Sequence, residues 1–175
     1  HNDRDFLKDL SIALKVLGLE NLDKLPVKRI LDFGCGTGNH LHEISKIAGD
    51  LVGYDRSPAM INMAKEKFPN LTFTSNPNEL SNDFDLIFSL FDVVSYQVDP
   101  IQLDEYFELI SRCLKLGGFV VLDGWYGPGV QSSPPEYRER ILLVDGKRYM
   151  RKVVPSFSPS SEIFELRILV EDPSE

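Results

Sequence analysis

The run Leu31-Asp32-Phe33-Gly34-Cys35-Gly36-Thr37-Gly38-Asn39 limits what this chain can become more than any other feature. Arg29 to Phe33 reads as a buried strand that ends in glycines at alternate positions. A helix with Leu41, Ile44 and Ile47 on its apolar face follows. Glycine allows backbone conformations that other residues resist, and it clears side chains from a place where a ligand can lie against the main chain. A strand, such a loop and a helix in that order form the first unit of a doubly wound α/β sheet, whose ligands bind at the carboxyl ends of the strands.

Three ligand classes compete for such a loop. A dinucleotide fingerprint is spaced G-x-G-x-x-G, with the pyrophosphate on the helix N-terminus. Here the third glycine arrives one residue early, at Gly38, and Asn39 stands where the fingerprint has glycine. A P-loop needs Lys followed by Ser or Thr, and neither follows. What remains is a ligand with an adenosine and no phosphate. Asp32, just before the loop, fits a ligand bearing an ammonium group and would repel a pyrophosphate. A second acid, Asp55, closes the next strand about 20 residues on, where a carboxylate can accept both ribose hydroxyls. The bland account of Asp55 is an acid at the start of the following helix.

The rest of the chain keeps the same rhythm. Residues 5–19 carry apolar side chains at helical spacing, with Gly18 as a stop. Residues 51–54 read as a second strand, and Ser57-Pro58 as an N-cap with Pro at the first helical position, opening a helix through Phe68. Residues 71–74 and 84–90 are further strands, apolar enough to be covered on both faces. Residues 104–116 form an amphipathic helix closed by Gly117-Gly118, and residues 119–123 a fifth strand. The expected fold is therefore a doubly wound, Rossmann-like, mainly parallel sheet with helices on both faces.

After Gly124 the character changes. Residues 127–135, rich in Gly, Pro and Ser, read as a loop. Residues 141–144 and 147–154 flank Asp145-Gly146, a strong hairpin signal, and a second turn at 157–161 leads to a third strand at 163–170. The expected organisation is a ligand-binding domain at 1–124 and, at 125–175, a loop and antiparallel meander of the same globular unit that cover the substrate.

Composition narrows the partners. The net charge is -8, and the densest basic group, Lys147, Arg148, Arg151 and Lys152, alternates with apolar residues as in a solvated strand face. That balance argues against nucleic acid. No apolar run approaches the roughly 20 residues that span a bilayer, no basic-then-apolar leader opens the chain, and two cysteines without metal-ligand spacing suit a reducing cytoplasm. His40 and His42 lie two apart on a helix and point in different directions, so no metal site is expected.

Four segments in order carry a resemblance. They are the glycine run from Ile30 to Gly38, the stretch Val52-Gly53-Tyr54-Asp55-Arg56-Ser57-Pro58-Ala59-Met60, the strand Phe84-Asp85-Leu86-Ile87-Phe88-Ser89, and Leu114-Lys115-Leu116-Gly117-Gly118-Phe119-Val120-Val121. Together they resemble the class I S-adenosylmethionine-dependent methyltransferases over roughly Lys28 to Asp123. The resemblance implies S-adenosylmethionine as cofactor. Asp32, Gly34, Cys35, Gly36 and Gly38 would hold its methionine and ribose, and Asp55 would take the ribose hydroxyls. Arg56 and Met60 would flank the adenine, Asn76 would accept from the adenine amino group in place of the family's usual acid, and Ser89, Leu90 and Phe91 would lie near the methionine.

Residues 89–96 and 122–128 are also similar to bacterial N-methyltransferases of amino-deoxysugar nucleotides. Such enzymes continue into a further helix and two strands, for which little room follows the meander. This narrower likeness implies a small polar acceptor walled by Tyr96, Trp125 and Tyr126, with Asp92, Tyr96 and Asp123 as candidates to orient or deprotonate it. A protein or small-molecule O-methyltransferase and a non-catalytic nucleoside-binding module stand as alternatives. A homodimer is compatible with the sequence, which does not decide the oligomeric state.

Overall fold

The computed structural model describes residues 29–46, 48–158 and 163–172, together with Lys8, Ser11, Ile12, Lys15 and Gly18. The helix expected over 5–19 otherwise lies outside the described residues, as does Ile47. The chain divides into two compact units, His1–Gly124 and Trp125–Glu175.

In the first unit, strands and helices alternate as β1 (Arg29–Phe33), α1 (Asn39–Ile44), β2 (Asp50–Tyr54), α2 (Pro58–Lys67), β3 (Thr72–Thr74), β4 (Phe84–Ser89), α3 (Pro100–Cys113) and β5 (Leu114–Leu122). Every strand pair is parallel, in the order β3-β2-β1-β4-β5. Side chains alternate along each strand, so consecutive apolar residues feed opposite faces. Ile30, Leu51, Phe73, Leu86 and Phe88 pack with Leu41 and Ile44 of α1 and Ile61 and Ala64 of α2. Leu31, Phe33, Val52, Tyr54 and Ile87 pack with Tyr106, Ile110 and Cys113 of α3. This two-sided burial, about 1.5–3 kcal/mol for each large side chain, is why the strands read as continuous apolar runs. The doubly wound architecture expected of the sequence is thus present.

Local signals set the helix starts. Ser57 Oγ accepts the Met60 N–H at 3.4 Å ahead of Pro58. Asp99 accepts the Ile101 N–H at 2.7 Å ahead of Pro100, so α3 begins four residues before the expected 104. It also ends earlier, at Cys113, because Leu114 already pairs with Phe84 across the sheet. The register then jumps to Leu86 opposite Phe119, leaving residues 115–118 as an excursion within β5 with Gly117 at φ 82. Gly117-Gly118 therefore serves a bulged strand, not a helix stop, and the fifth strand starts at 114 instead of 119.

The second unit holds α4 (Gly127–Ser132), β6 (Arg138–Val144), β7 (Lys147–Ser158) and β8 (Ile163–Glu171), the strands forming an antiparallel sheet in the order β6-β7-β8. Asp145 (φ 50) and Gly146 (φ 77) make the two-residue turn that the hairpin signal predicted. Two expectations differ. The expected loop at 127–135 contains a short helix, since Pro128 is tolerated in a first turn that needs no donor, and the Val130 N–H reaches Tyr126 O at 3.0 Å. The turn expected over 157–161 does not start at 157, because β7 runs on through Ser158 with Phe157 opposite Phe164; residues 159–161 lie outside the described residues.

Candidate functional site

β1 has β2 on one side and β4 on the other, so the chain leaves its carboxyl end at the point where strand order reverses. A cleft of about 710 Å³ opens there, within the range of small-molecule sites. The glycine loop forms its floor. The Gly34 and Cys35 N–H groups both donate to Tyr54 O, at 2.7 and 2.9 Å, hooking the loop onto the end of β2.

The glycines have separate reasons to be glycine. Gly34, Gly36 and Gly38 have φ of 86, 53 and 80, in the left-handed region. A Cβ on Gly34 would stand 2.5 Å from Val93 Cγ2, and one on Gly38 would stand 2.7 Å from the Phe73 ring. These two make room for protein packing. Nothing lies within 4 Å of the missing Cβ of Gly36, which lines the cleft, so this glycine leaves space that a ligand can use.

Asp55 is the hub. Its Oδ2 accepts the Gly36 N–H and its Oδ1 the Ser57 N–H, both at 2.9 Å. It therefore does open the turn into α2, as the bland account supposed, and it also braces the loop. Each carboxylate oxygen retains acceptor capacity toward the cleft that Asp55 lines. Asp32 lies behind the loop, 2% exposed, and its Oδ2 has no hydrogen-bond partner. Burial, reinforced by the Asp55 charge and partly opposed by the Leu41 backbone N–H, pushes its carboxyl up to about 7.

Of the residues singled out from sequence, Gly34, Gly36, Asp55, Arg56, Met60, Phe91 and Tyr96 line this cleft. Cys35 and Leu90 pack instead into the core beside α1 and α2. Asn76 caps a short 3-10 turn, its Oδ1 accepting the Asn78 N–H at 3.1 Å. Ser89 is fully buried, donating to Phe33 O at 2.9 Å and accepting from Tyr106 Oη at 2.7 Å. Asp92 has its N–H held by Asp123 Oδ1 at 2.8 Å. Trp125 and Tyr126 begin the second unit. His40 and His42 pack on different rings, Phe91 and Phe68.

Sequence reasoning missed one wall of the cleft. Gln102, Glu105, Tyr106 and Leu109 line it from α3. Their i, i+3, i+4, i+7 spacing marks one helical stripe. It borders the core-facing stripe and shares Tyr106 with it, and the polar Gln102 and Glu105 on its outer side were the available signal.

Residues 30–118 match the family model described as a methyltransferase domain. A dTDP-3-amino-3,4,6-trideoxy-alpha-D-glucopyranose N,N-dimethyltransferase of Streptomyces venezuelae is 30% identical over 102 residues, 57% of this chain and 43% of that protein. A demethylmenaquinone methyltransferase of Chlorobaculum parvum is 28% identical over 142 residues, 78% of this chain and 55% of that protein. The chain spans about half the length of the curated relatives it matches. Among solved structures, the sugar N-methyltransferase KedS8 from Streptoalloteichus superposes with a TM-score of 0.75 at 21% identity, covering 97% of this chain and 73% of that one. The amino pentose methyltransferase CalS10 from Micromonospora echinaspora gives 0.71 at 19% identity, covering 97% and 77%. These likenesses show a shared fold, and the family match runs through the glycine loop, Asp55 and the fourth strand and into the start of the fifth. The chain belongs to the methyltransferase domain family.

Proposed function

We propose that the cleft binds S-adenosylmethionine and that the protein transfers its methyl group to a small polar acceptor, the amine of an amino-deoxysugar nucleotide. The observation that carries this is the Gly36–Asp55 hydrogen bond at the cleft floor, backed by the buried, unpartnered Asp32 oxygen. Asp55 takes the ribose hydroxyls with its remaining lone pairs. Asp32 answers the ammonium of the methionine end, for which a buried carboxylate with an unpartnered oxygen is suited. Arg56 and Met60 flank the adenine, and the second lone pair of Asn76 Oδ1 accepts from its amino group. Phe91, with Ser89 and Leu90 behind it, bounds the methionine end. The Streptomyces venezuelae relative supports the choice of acceptor.

When bound, the cofactor supplies a methyl group on a sulfonium, so the protein's task is alignment and exclusion of water. An amine acceptor needs only to arrive deprotonated. Of the candidates for holding it, Tyr96 lines the cleft, Asp92 stands in the turn beside it, and Asp123 is engaged with the Asp92 N–H. Trp125 and Tyr126 belong to the acceptor side in this reading, with the second unit as the substrate cover. Two buried free cysteines, Cys35 and Cys113, fit a reducing cytoplasm. No helix among the described residues is long and apolar enough to cross a membrane.

The test is calorimetry with S-adenosylhomocysteine and NAD, followed by mass spectrometry of transfer to an amino-deoxysugar nucleotide and to its hydroxyl counterpart. Tighter binding of NAD overturns the cofactor reading. Methylation of the hydroxyl compound alone makes the protein an O-methyltransferase, and cofactor binding without transfer to either refutes the proposed acceptor.

A further inference from the structure

Two consecutive residues other than glycine, Phe91 (φ 76) and Asp92 (φ 58), stand in the left-handed region, with Leu90 between them and the end of β4 at Ser89. Such residues cost free energy and persist where the surroundings enforce them, often at ligand sites. Here the enforcing group is visible. Asp123, at the end of β5, accepts the Asp92 N–H on Oδ1 at 2.8 Å, while its own N–H reaches Ser89 O at 3.3 Å. The turn so held does two things for the cleft. It presents Phe91 as a wall, its ring centroid 4.9 Å from that of His40. It also sets Val93 against the α-carbon of Gly34, where an added Cβ would meet Val93 Cγ2 at 2.5 Å. Val94, next along, would stand 3.0 Å by its Cγ1 from a Cβ added to Gly124, so the chain just after Asp123 also passes close to this turn.

We infer that Asp123 is a positioning residue: its carboxylate pins the strained Phe91–Asp92 turn and thereby sets the cleft wall and the first glycine of the loop. This rests on the reading of the cleft as a cofactor site only for its effect on the ligand. It adds a structural duty to the role the sequence suggested for Asp123, that of orienting or deprotonating the acceptor, since its Oδ1 receives a backbone donor. A turn freed from this bond relaxes toward ordinary φ, withdrawing Phe91 from the wall and Val93 from Gly34.

The experiment compares Asp123→Ala and Asp123→Asn with the wild-type protein. Backbone amide exchange is measured by NMR without ligand, and S-adenosylhomocysteine affinity by calorimetry. Asparagine keeps an oxygen acceptor and removes the charge, so it separates the pinning bond from the charge of the carboxylate. The expected result is an Asp92 amide protected in wild type and in Asp123→Asn but exchanging about tenfold faster in Asp123→Ala, with affinity about tenfold weaker in the alanine variant and nearly restored in the asparagine one. Equal protection in all proteins, or a freed amide with unchanged affinity, overturns the inference. Failure of the wild-type protein to bind S-adenosylhomocysteine overturns the cofactor reading, and the exchange pattern then by itself upholds or refutes the pinning of the turn.

Discussion

The carboxylate of Asp55 and the backbone N–H of Gly36 are joined by a hydrogen bond of 2.9 Å, which ties the end of β2 to the middle of the glycine loop. One residue thus shapes the loop and faces the cleft, and its two duties cannot be separated by removing it. Sequence alone predicts that Asp55→Ala weakens cofactor binding and leaves the free protein's melting temperature almost unchanged. With the Gly36 and Ser57 N–H groups both on its carboxylate, the structure changes the second half of that expectation.

Asp55→Ala should cost about 1.5–3 kcal/mol of S-adenosylhomocysteine affinity, the scale of a hydrogen bond to a charged group. It should also lower the melting temperature by about 2–4 °C for each kcal/mol of lost bracing. Calorimetry and thermal unfolding on one preparation check both. Unchanged affinity with a lowered melting temperature would make Asp55 a loop brace and nothing more.

Asp32 gives a pH dependence with a definite sign. Its carboxyl is raised from 3.8 to about 7, mainly by burial. Its contribution to stability is therefore complete below about 3.8 and is lost as pH rises through about 7, where an unpaired charge must sit in the interior. Asp32→Asn removes that charge, so its stability relative to wild type should improve between pH 5 and pH 8, by the order of 1–4 kcal/mol. Near pH 6 the wild-type protein should release a proton on binding a ligand with an ammonium group, read as a buffer-dependent heat. A variant difference flat across that pH range would rule out this account of Asp32.

The glycines should fail in different ways. Gly34→Ala and Gly38→Ala drive a methyl group into Val93 and Phe73, at 2.5 and 2.7 Å, and should destabilise the free protein. Gly36→Ala meets no protein atom, so it bears the left-handed backbone penalty of roughly 1–2 kcal/mol but places its methyl in the cleft. Its loss of ligand affinity should exceed its loss of stability. Equal stability losses in all three would contradict the division of labour.

Trp125→Ala tests the second unit. A residue on the acceptor side should impair turnover while S-adenosylhomocysteine affinity stays within about twofold. Joint loss of cofactor binding and stability would make Trp125 a packing residue.

Where the sequence was legible, the signal was local and chemical. Asp145-Gly146 demands its turn, Ser57-Pro58 its helix start, and the strand-glycine-helix run its place in a doubly wound sheet. Asp99-Pro100 carried the same cap signal as Ser57-Pro58 and would have placed the start of α3 correctly. The misjudged boundaries were decided across the sheet. Leu114 leaves the helix because Phe84 offers it a strand partner, and no local pattern contains Phe84. The site shows the same division. Glycine spacing and Asp55 announce the floor of the cleft, whereas the bond from Asp92 to Asp123 joins residues 31 apart. A carboxylate after a strand looks the same in sequence whether it will meet a substrate or a backbone N–H.

The buried pair Tyr106 and Ser89 supplies the last prediction. Tyr106 Oη donates to Ser89 Oγ at 2.7 Å, and Ser89 donates in turn to Phe33 O at 2.9 Å, one residue before the glycine loop. The Tyr106 ring stands edge-on to Phe33 with centroids 5.3 Å apart, and burial holds its phenol in the protonated, donating form. The order of the two residues in this chain predicts unequal consequences. Tyr106→Phe removes the outer donor and leaves the bond from Ser89 to Phe33 intact, a loss of about 1 kcal/mol. Ser89→Ala strips the acceptor from a buried phenol and the donor from a buried carbonyl together, so it should cost more, about 1–3 kcal/mol. The double variant should cost less than the sum, because once the phenol is gone Ser89→Ala leaves only the carbonyl unsatisfied. Denaturant unfolding of the four proteins measures this coupling directly. Strictly additive losses would mean that the two hydroxyls do not act as one chain.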